Sequence, residues 1–263
     1  MDFGLRGKVA AVSGASEGIG RAIAESLARE GMDLAICARR AEPLERAAAE
    51  LRSATRARVW AASADVTVEE DVRRFVDGAA AHFGALHALV VNLGSPASGG
   101  FLDKTDAQWL HAFDVGVMAA VRMIRAAVPH LERSGGGAIV NNTSFLVRQP
   151  QTVYTLSSST RPGLAGLTKT LSEELAPVRI RINSIAPGYV LTAALAEYQQ
   201  VQAQSFSLSA EEYSARAYAA VPLKRPARPQ EIGDVVAFLL SDRASYITGA
   251  MIPIDGGLVR SLL

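Results

Sequence analysis

Cysteine is almost missing from this chain: Cys37 is the one residue of its kind among 263. A lone thiol closes no internal disulfide, so a fold built on disulfides is excluded. Neither charge sign is in excess. Lys and Arg number 27 against 26 Asp and Glu, which leaves no basic surplus for non-specific nucleic-acid binding. Long apolar runs are missing as well. Stretches such as Ala88–Val91 and Ala138–Val140 fall far short of the roughly 18 residues that a membrane span takes. The apolar run after the N-terminal segment stops at Gly14 and has no small-residue cleavage pattern. These absences lead to the expectation of a soluble cytoplasmic protein with a small-molecule partner, and with neither nucleic acid nor membrane as partner.

At 49% hydrophobic and 20% charged, the chain is too apolar for disorder, and its length suits one large α/β domain spanning residues 1–263. Short apolar runs alternate with helical stretches. Strands are predicted at Val9–Ser13, Asp33–Ala38, Arg58–Ala64, Ala88–Asn92, Gly137–Thr143, Ile180–Ala186 and Met251–Ile254. Helices are predicted at Arg21–Arg29, Pro43–Leu51, Glu69–Phe83, Ala107–Arg133, Gly163–Ala176 and Glu231–Ser241, with Thr105 or Asp106 as cap of the long central one. Strands that are apolar throughout, alternating with helices, imply a doubly wound parallel sheet covered on both faces. The less regular stretch Ala193–Val221 holds Tyr198, Phe206, Tyr213 and Tyr218. It reads as a helical flap over a pocket or as ordinary surface helices.

Between the first strand and the first helix lies Ser13-Gly14-Ala15-Ser16-Glu17-Gly18-Ile19-Gly20. Gly14 permits a tight turn, Gly18 a close approach of backbone to a pyrophosphate, and Gly20 close packing of helix on strand. The second strand ends in Arg39-Arg40. An acid there would bond a ribose 2′-hydroxyl, whereas an arginine suits a 2′-phosphate and hence NADP over NAD. Glu17 opposes this by placing a negative charge in the turn. His82, His87, His111 and His130 show no metal-ligand spacing and are expected at the surface or an interface. No metal is expected, and Cys37 reads as a small core residue.

Over essentially its whole length the chain resembles the short-chain dehydrogenase/reductase superfamily, with its Rossmann-type sheet. Gly14, Gly18 and Gly20 match the family's glycine turn. Asp65-Val66 matches the Asp that meets the adenine. Asn92-Leu93-Gly94 is similar to the segment after the fourth strand, with Val91 in place of the first Asn. Asn183, Pro187-Gly188, Val190 and Thr192 match the segment flanking the nicotinamide, and Asp255-Gly256-Gly257 the C-terminal motif. The resemblance implies an NAD(P)-binding enzyme that assembles as a dimer or tetramer.

The active-site positions depart from the family pattern of Asn, Ser, Tyr and Lys. Ser144 stands where the family has its Ser. The Tyr and Lys positions fall on Ser157 and Arg161, and the Asn position on Gly116. Tyr154 lies seven residues before Arg161, a spacing similar to the Tyr-x6-Lys of the enoyl-thioester reductase branch. Members with Ser-x-x-x-Arg at these positions are commonly labelled oxoacyl-carrier reductases. Pro162 raises a further question, since proline disfavours helix at the residue before it. Either the helix tolerates it near its start, or the helix begins there and Tyr154 and Ser157 lie in a loop.

Hydride addition to a ketone creates an alkoxide that needs a proton. Serine is a poor source and arginine stays charged. Addition to a conjugated enoyl group leaves an enolate, for which oriented donors suffice. Two readings result. One is an NADP(H)-dependent oxidoreductase acting on a carbonyl or enoyl group, an acyl thioester included, with Ser144, Tyr154, Ser157 and Arg161 at work and Arg161 also holding the nicotinamide ribose. The other is a cofactor-binding relative that has lost catalysis and serves as partner or sensor.

Overall fold

A computed structural model describes residues 2–262, the side chain of Ser205 excepted. Seven parallel strands run in the order β3-β2-β1-β4-β5-β6-β7. They are β1 (Val9–Ser13), β2 (Asp33–Ala38), β3 (Val59–Ser63), β4 (Ala88–Asn92), β5 (Gly137–Asn142), β6 (Ile180–Pro187) and β7 (Met251–Ile254). The strand alternation sorts side chains between two cores. Ala10, Val12, Leu34, Ile36, Val90 and Val140 face α1 (Gly18–Arg29), α2 (Ala41–Ala54) and α9 (Pro229–Leu240). Val9, Ala11, Ala35, Leu89, Val91 and Ile139 face α3 (Glu69–Phe83), α5 (Ala119–Arg133) and α6 (Thr155–Glu174). Cys37 belongs to the second core, and burial pushes its thiol up to about 12. The expected doubly wound sheet is therefore the fold. Among the described residues no helix is long and apolar enough to cross a membrane.

Two helices differ from the expectation. The long central helix is not uniform. It runs as α4 (Asp106–Phe113), a π-helical turn at Asp114–Met118, and then α5. Thr105 caps α4, its hydroxyl accepting from the Gln108 amide. In the π turn the Ala119 amide reaches back five residues to the Asp114 carbonyl, and Asp114 pairs with Arg122 at 2.7 Å. An i→i+5 turn inserts one extra residue and so re-aims the side chains of α5. Gly116, at its centre, lies against Thr160 of α6.

The second difference is α6 itself, which begins at Thr155 and passes through Pro162 without a break. Pro162 is exposed, while Leu156, Thr160, Arg161 and Leu164 on the inner side are buried. The carbonyl that proline leaves without a helical partner is that of Ser158, a residue only partly buried. Packing of the inner face overrides the local preference.

The stretch after β6 forms two helices, α7 (Ala193–Ser205) and α8 (Ala210–Ala219). The Gln199 amide donates to the Tyr218 hydroxyl at 2.7 Å and ties them together. Thr192 caps α7 through the Leu195 amide, and Ser209 caps α8 through the Glu212 amide. Under them Phe145, Leu146, Val221 and Leu258 make a small third core. At the sheet edges, Arg52 donates to the Val59 carbonyl of β3 at 2.8 Å, and Arg148 to the Met251 carbonyl of β7 at 3.5 Å. Pro253 of β7 is exposed.

Candidate active site

Chain reversals at the carboxyl ends of β1 to β6 surround one cavity of about 940 Å³. It opens at the switch point of the sheet, where β1 pairs on one side with β2 and on the other with β4. The turn after β1 contributes Gly14, Ser16, Glu17, Gly18 and Ile19. The end of β2 gives Arg39 and Arg40, that of β3 Asp65 and Val66, and that of β4 Asn92 and Gly94. Ser144 follows β5, and Pro187, Gly188, Val190 and Thr192 follow β6. Tyr154, Ser157 and Arg161 come from α6. Gly20 is the one residue of the expected site outside the lining. A Cβ there would run into the Gly14 carbonyl, so its part is the packing of α1 on β1. Asn183 is spent on structure, donating to the Ile247 carbonyl and accepting from the Ala250 amide in the segment before β7.

Glycine geometry fits the turn. Gly14 and Gly18 take left-handed backbone, φ 60° and 58°. The N-terminus of α1 has no side-chain cap, so its first-turn N–H groups are open. Glu17 forms an ion pair with Arg40. Arg39 makes no ion pair among the described residues, and its charge acts on Asp65. That carboxyl is raised by burial but held below the usual range overall, through hydrogen bonds from Thr67 and the attraction of Arg39.

At the floor, the Asn142 amide donates to Asn92 Oδ1 at 2.8 Å, and the Asn92 amide to the Gly14 carbonyl at 3.1 Å. Asn142 Oδ1 is buried without a partner. Arg161 is 4% exposed, and its guanidinium donates to the carbonyls of Gly94 at 2.8 Å and Asn142 at 3.2 Å. No carboxylate neutralises it among the described residues. Burial lowers it to about 10, so it stays charged at neutral pH. The open N-terminus of α1, lining the cavity beside the left-handed glycines, fits the phosphates of a dinucleotide guest.

The chemistry-bearing side chains sit at the other end. Tyr154 is the N-cap residue of α6, with Ser157 and Arg161 three and seven positions on. At 3.6 residues per turn the three share one helix face. The continuous α6 thus decides the question raised by Pro162: Ser157 is helical, and Tyr154 stands at the helix start. Ser157 is buried, whereas Tyr154 is half-buried on the cavity wall. Burial pushes the Tyr154 phenol above its ordinary value; a hydrogen bond from Tyr198 lowers it in part, and the Tyr189 and Tyr213 phenols raise it. The Ser144 hydroxyl accepts from the Leu146 amide at 3.3 Å, which orients it and leaves its proton to donate. The loop after β4 is tied to the start of α6 by the Gly99 amide, which donates to the Val153 carbonyl at 2.8 Å.

The cavity also takes in residues that motif and spacing do not single out: Val115, Leu146, Tyr189, Leu195, Tyr198 and His111. His111, expected at the surface, is exposed but forms part of the rim, one helical turn before Val115. The concentration of aromatics at Ala193–Val221 is the available signal for Tyr198. Among the other histidines, the His87 ring accepts from the Val9 amide at 3.0 Å, His82 stacks on Trp60 and His130 pairs with Asp77.

A family model described as enoyl-(acyl carrier protein) reductase matches residues 14–259. Cis-4-hydroxycyclohexanecarboxylate dehydrogenase of Sinomonas cyclohexanicum is 36% identical over 251 residues, covering 95% of this chain and 96% of that protein. Dehydrogenase/reductase SDR family member 4 of Caenorhabditis elegans is 34% identical over 255 residues, covering 97% and 96%. L-sorbose reductase of Gluconobacter frateurii, solved with NADPH and L-sorbose, superposes with a TM-score of 0.95 at 34% identity over 100% of both chains. Fold, glycine turn and relatives agree, and the chain belongs to the short-chain dehydrogenase/reductase superfamily of oxidoreductases.

Proposed function

We propose that the protein is an NADP(H)-dependent oxidoreductase that interconverts a carbonyl and an alcohol, with Tyr154 as its acid. The observation that carries this is the placement of Tyr154, Ser157 and Arg161 on one face of α6 in the cavity that Ser144 also lines. The Gly14–Gly18 turn with Ser16, Ile19 and the open end of α1 would hold the pyrophosphate, and Arg39 the 2′-phosphate. Asp65 and Val66 would meet the adenine. Asn92, Gly94 and Arg161 would border the nicotinamide ribose, and Pro187, Gly188, Val190 and Thr192 the nicotinamide. Such a cofactor, when bound, supplies or accepts the hydride.

The chain's own residues then manage the oxygen. Ser144, oriented by the Leu146 amide, donates a hydrogen bond to the substrate oxygen. Tyr154 gives that oxygen its proton. Arg161, held on the Gly94 and Asn142 carbonyls, cannot move protons, because its own stays bound. Ser157 packs beside them as a further donor. The lid of α7 and α8, residues 193–221, would close over the substrate end.

A second reading has the same residues stabilise the enolate formed on reduction of a conjugated enoyl group. The Tyr154-to-Arg161 spacing favours it. NADPH oxidation with L-sorbose, 4-oxocyclohexanecarboxylate and a crotonyl thioester separates the two. With the carbonyl probe that is turned over, Tyr154→Phe lowers turnover by ~10²–10⁴, the usual cost of removing a positioned general acid. Ser157→Ala costs far less and leaves NADPH affinity intact. Full activity in Tyr154→Phe overturns the assignment.

A further inference from the structure

Charge is distributed unevenly along the cavity. Among the described residues the charged side chains that line it are Glu17, Arg39, Arg40, Asp65 and Arg161, and the first four lie in the turns after β1, β2 and β3. The fifth, Arg161, is buried and directed at the Gly94 and Asn142 carbonyls. Around Ser144 and Tyr154 the wall is of another kind. Val115, Leu146 and Leu195 supply aliphatic surface there, and Tyr189 and Tyr198 supply rings. Besides the phenols, the ionisable group at this end among the described residues is His111, which is exposed at the rim.

Both rings are held by neighbours. Tyr198, on α7, has its ring centroid 5.2 Å from that of Tyr154, at a tilt of 31°. Tyr189, in the turn after β6, lies 5.7 Å from Phe145 and 5.9 Å from Tyr218, and Phe145 is itself buried in the third core. An apolar ring laid on such pre-positioned surfaces displaces water at little cost in ordering. An ionised group placed there loses its hydration and finds no opposite charge short of the rim. The phenols register the same environment: burial holds Tyr154, Tyr189 and Tyr198 above their ordinary range, and it would disfavour an ionised substrate carboxyl in the same way. A polyol fits poorly as well, since each hydroxyl turned to Val115, Leu146 or Leu195 gives up a hydrogen bond to water without replacement.

We propose that the substrate is an uncharged carbonyl compound with an apolar ring as its body, seated on Tyr189 and Tyr198 with its oxygen at Ser144 and Tyr154. The inference rests on the carbonyl reduction proposed above and names the class of its substrate. The cavity is thus divided by charge. Its β1–β3 end carries the groups that meet an anionic cofactor, and its α6–α7 end selects for a neutral, apolar guest by offering nothing that would offset the desolvation of a charge.

Calorimetric titration into the full-length protein saturated with NADP+ reads substrate binding without turnover. Methyl 4-oxocyclohexanecarboxylate and 4-oxocyclohexanecarboxylate share ring and ketone and differ in charge, and L-sorbose is an uncharged carbonyl compound covered in hydroxyls. The ester is expected to bind about tenfold or more tightly than either the acid or L-sorbose at neutral pH. Steady-state kcat/KM with NADPH should rank the three in the same order. Tyr198→Leu, which keeps an apolar side chain and removes the ring, should weaken ester binding by about three- to tenfold, the worth of an aromatic contact beyond its area. Equal or tighter binding of the acid or of L-sorbose, or no measurable binding of the ester, overturns the inference and leaves Tyr154 as acid. Unchanged ester affinity in Tyr198→Leu overturns the seat on that ring. Full turnover in Tyr154→Phe, or turnover of the crotonyl thioester alone, overturns the reading beneath, whereas the order of binding is decided by calorimetry without it.

Discussion

Glu17 and Arg40 neutralise one another at the mouth of the glycine turn, and that pairing changes what Arg39 can do. Without it, the carboxylate would repel a 2′-phosphate; with it, the local charge is set by Arg39. Arg39→Ala is therefore expected to weaken NADPH binding by about tenfold or more, the scale of one charge-assisted contact, and to leave NADH binding unchanged. Fluorescence titration of both cofactors checks this, and equal losses for the two would dismiss Arg39 as the reader. The three glycines are legible in the sequence because each answers to a backbone demand: left-handed φ at Gly14 and Gly18, and contact at Gly20. The standing of Glu17 is not, since an ion pair across 23 residues leaves no spacing signal. Tyr198 is visible as an aromatic of the flap, but its approach to Tyr154 depends on how α7 folds back.

Helices and turns depart furthest from local rules. All seven strands lie where apolar runs predict them, to within a residue or two, because a strand buried on both faces has few alternatives. The central helix reads as one amphipathic stretch, and nothing in its periodicity reveals the π turn at Asp114–Met118. Gly116 at its centre faces Thr160, whose hydroxyl would stand 3.0 Å from a Cβ there. Restoring the superfamily's Asn by Gly116→Asn should consequently destabilise the fold by ~1–3 kcal/mol, the usual cost of overpacking. Thr160→Ala in the same chain should recover part of the loss, since the two sites are in contact. Urea unfolding of the single and double variants measures both terms, and an unchanged midpoint for Gly116→Asn would contradict the packing argument. Local rules likewise leave the start of α6 open between the residues before Pro162 and Pro162 itself, and inner-face burial carries the helix through it.

On the molecule as a whole, exposed apolar side chains concentrate on one stretch: Phe101 at 67%, Leu102 at 92%, Leu110 at 73% and Phe113 at 51%. Apolar surface of this extent on a helix and the turn before it calls for a cover, and a second copy of the chain is the expected one. Sedimentation at micromolar protein should give a dimer or tetramer. Leu110→Glu combined with Phe113→Glu should shift it to monomer with helix content retained; a monomeric wild type would refute the idea. The manner of such association is constrained by the sheet. Ala250 and Ile254 turn their carbonyls to β6, so Met251 and Pro253 turn their backbone outward. Proline has no N–H to offer there, and Arg148 occupies the outward carbonyl of Met251. On the opposite edge Arg58 and Ala64 bond inward, and Arg52 occupies the outward carbonyl of Val59. Each border of the sheet is thus guarded by an arginine that competes with any incoming strand. Copies of this protein can meet through side chains, whereas an incoming strand must first displace these arginines and gains no N–H from Pro253, which tells against the edge-to-edge growth that seeds fibres.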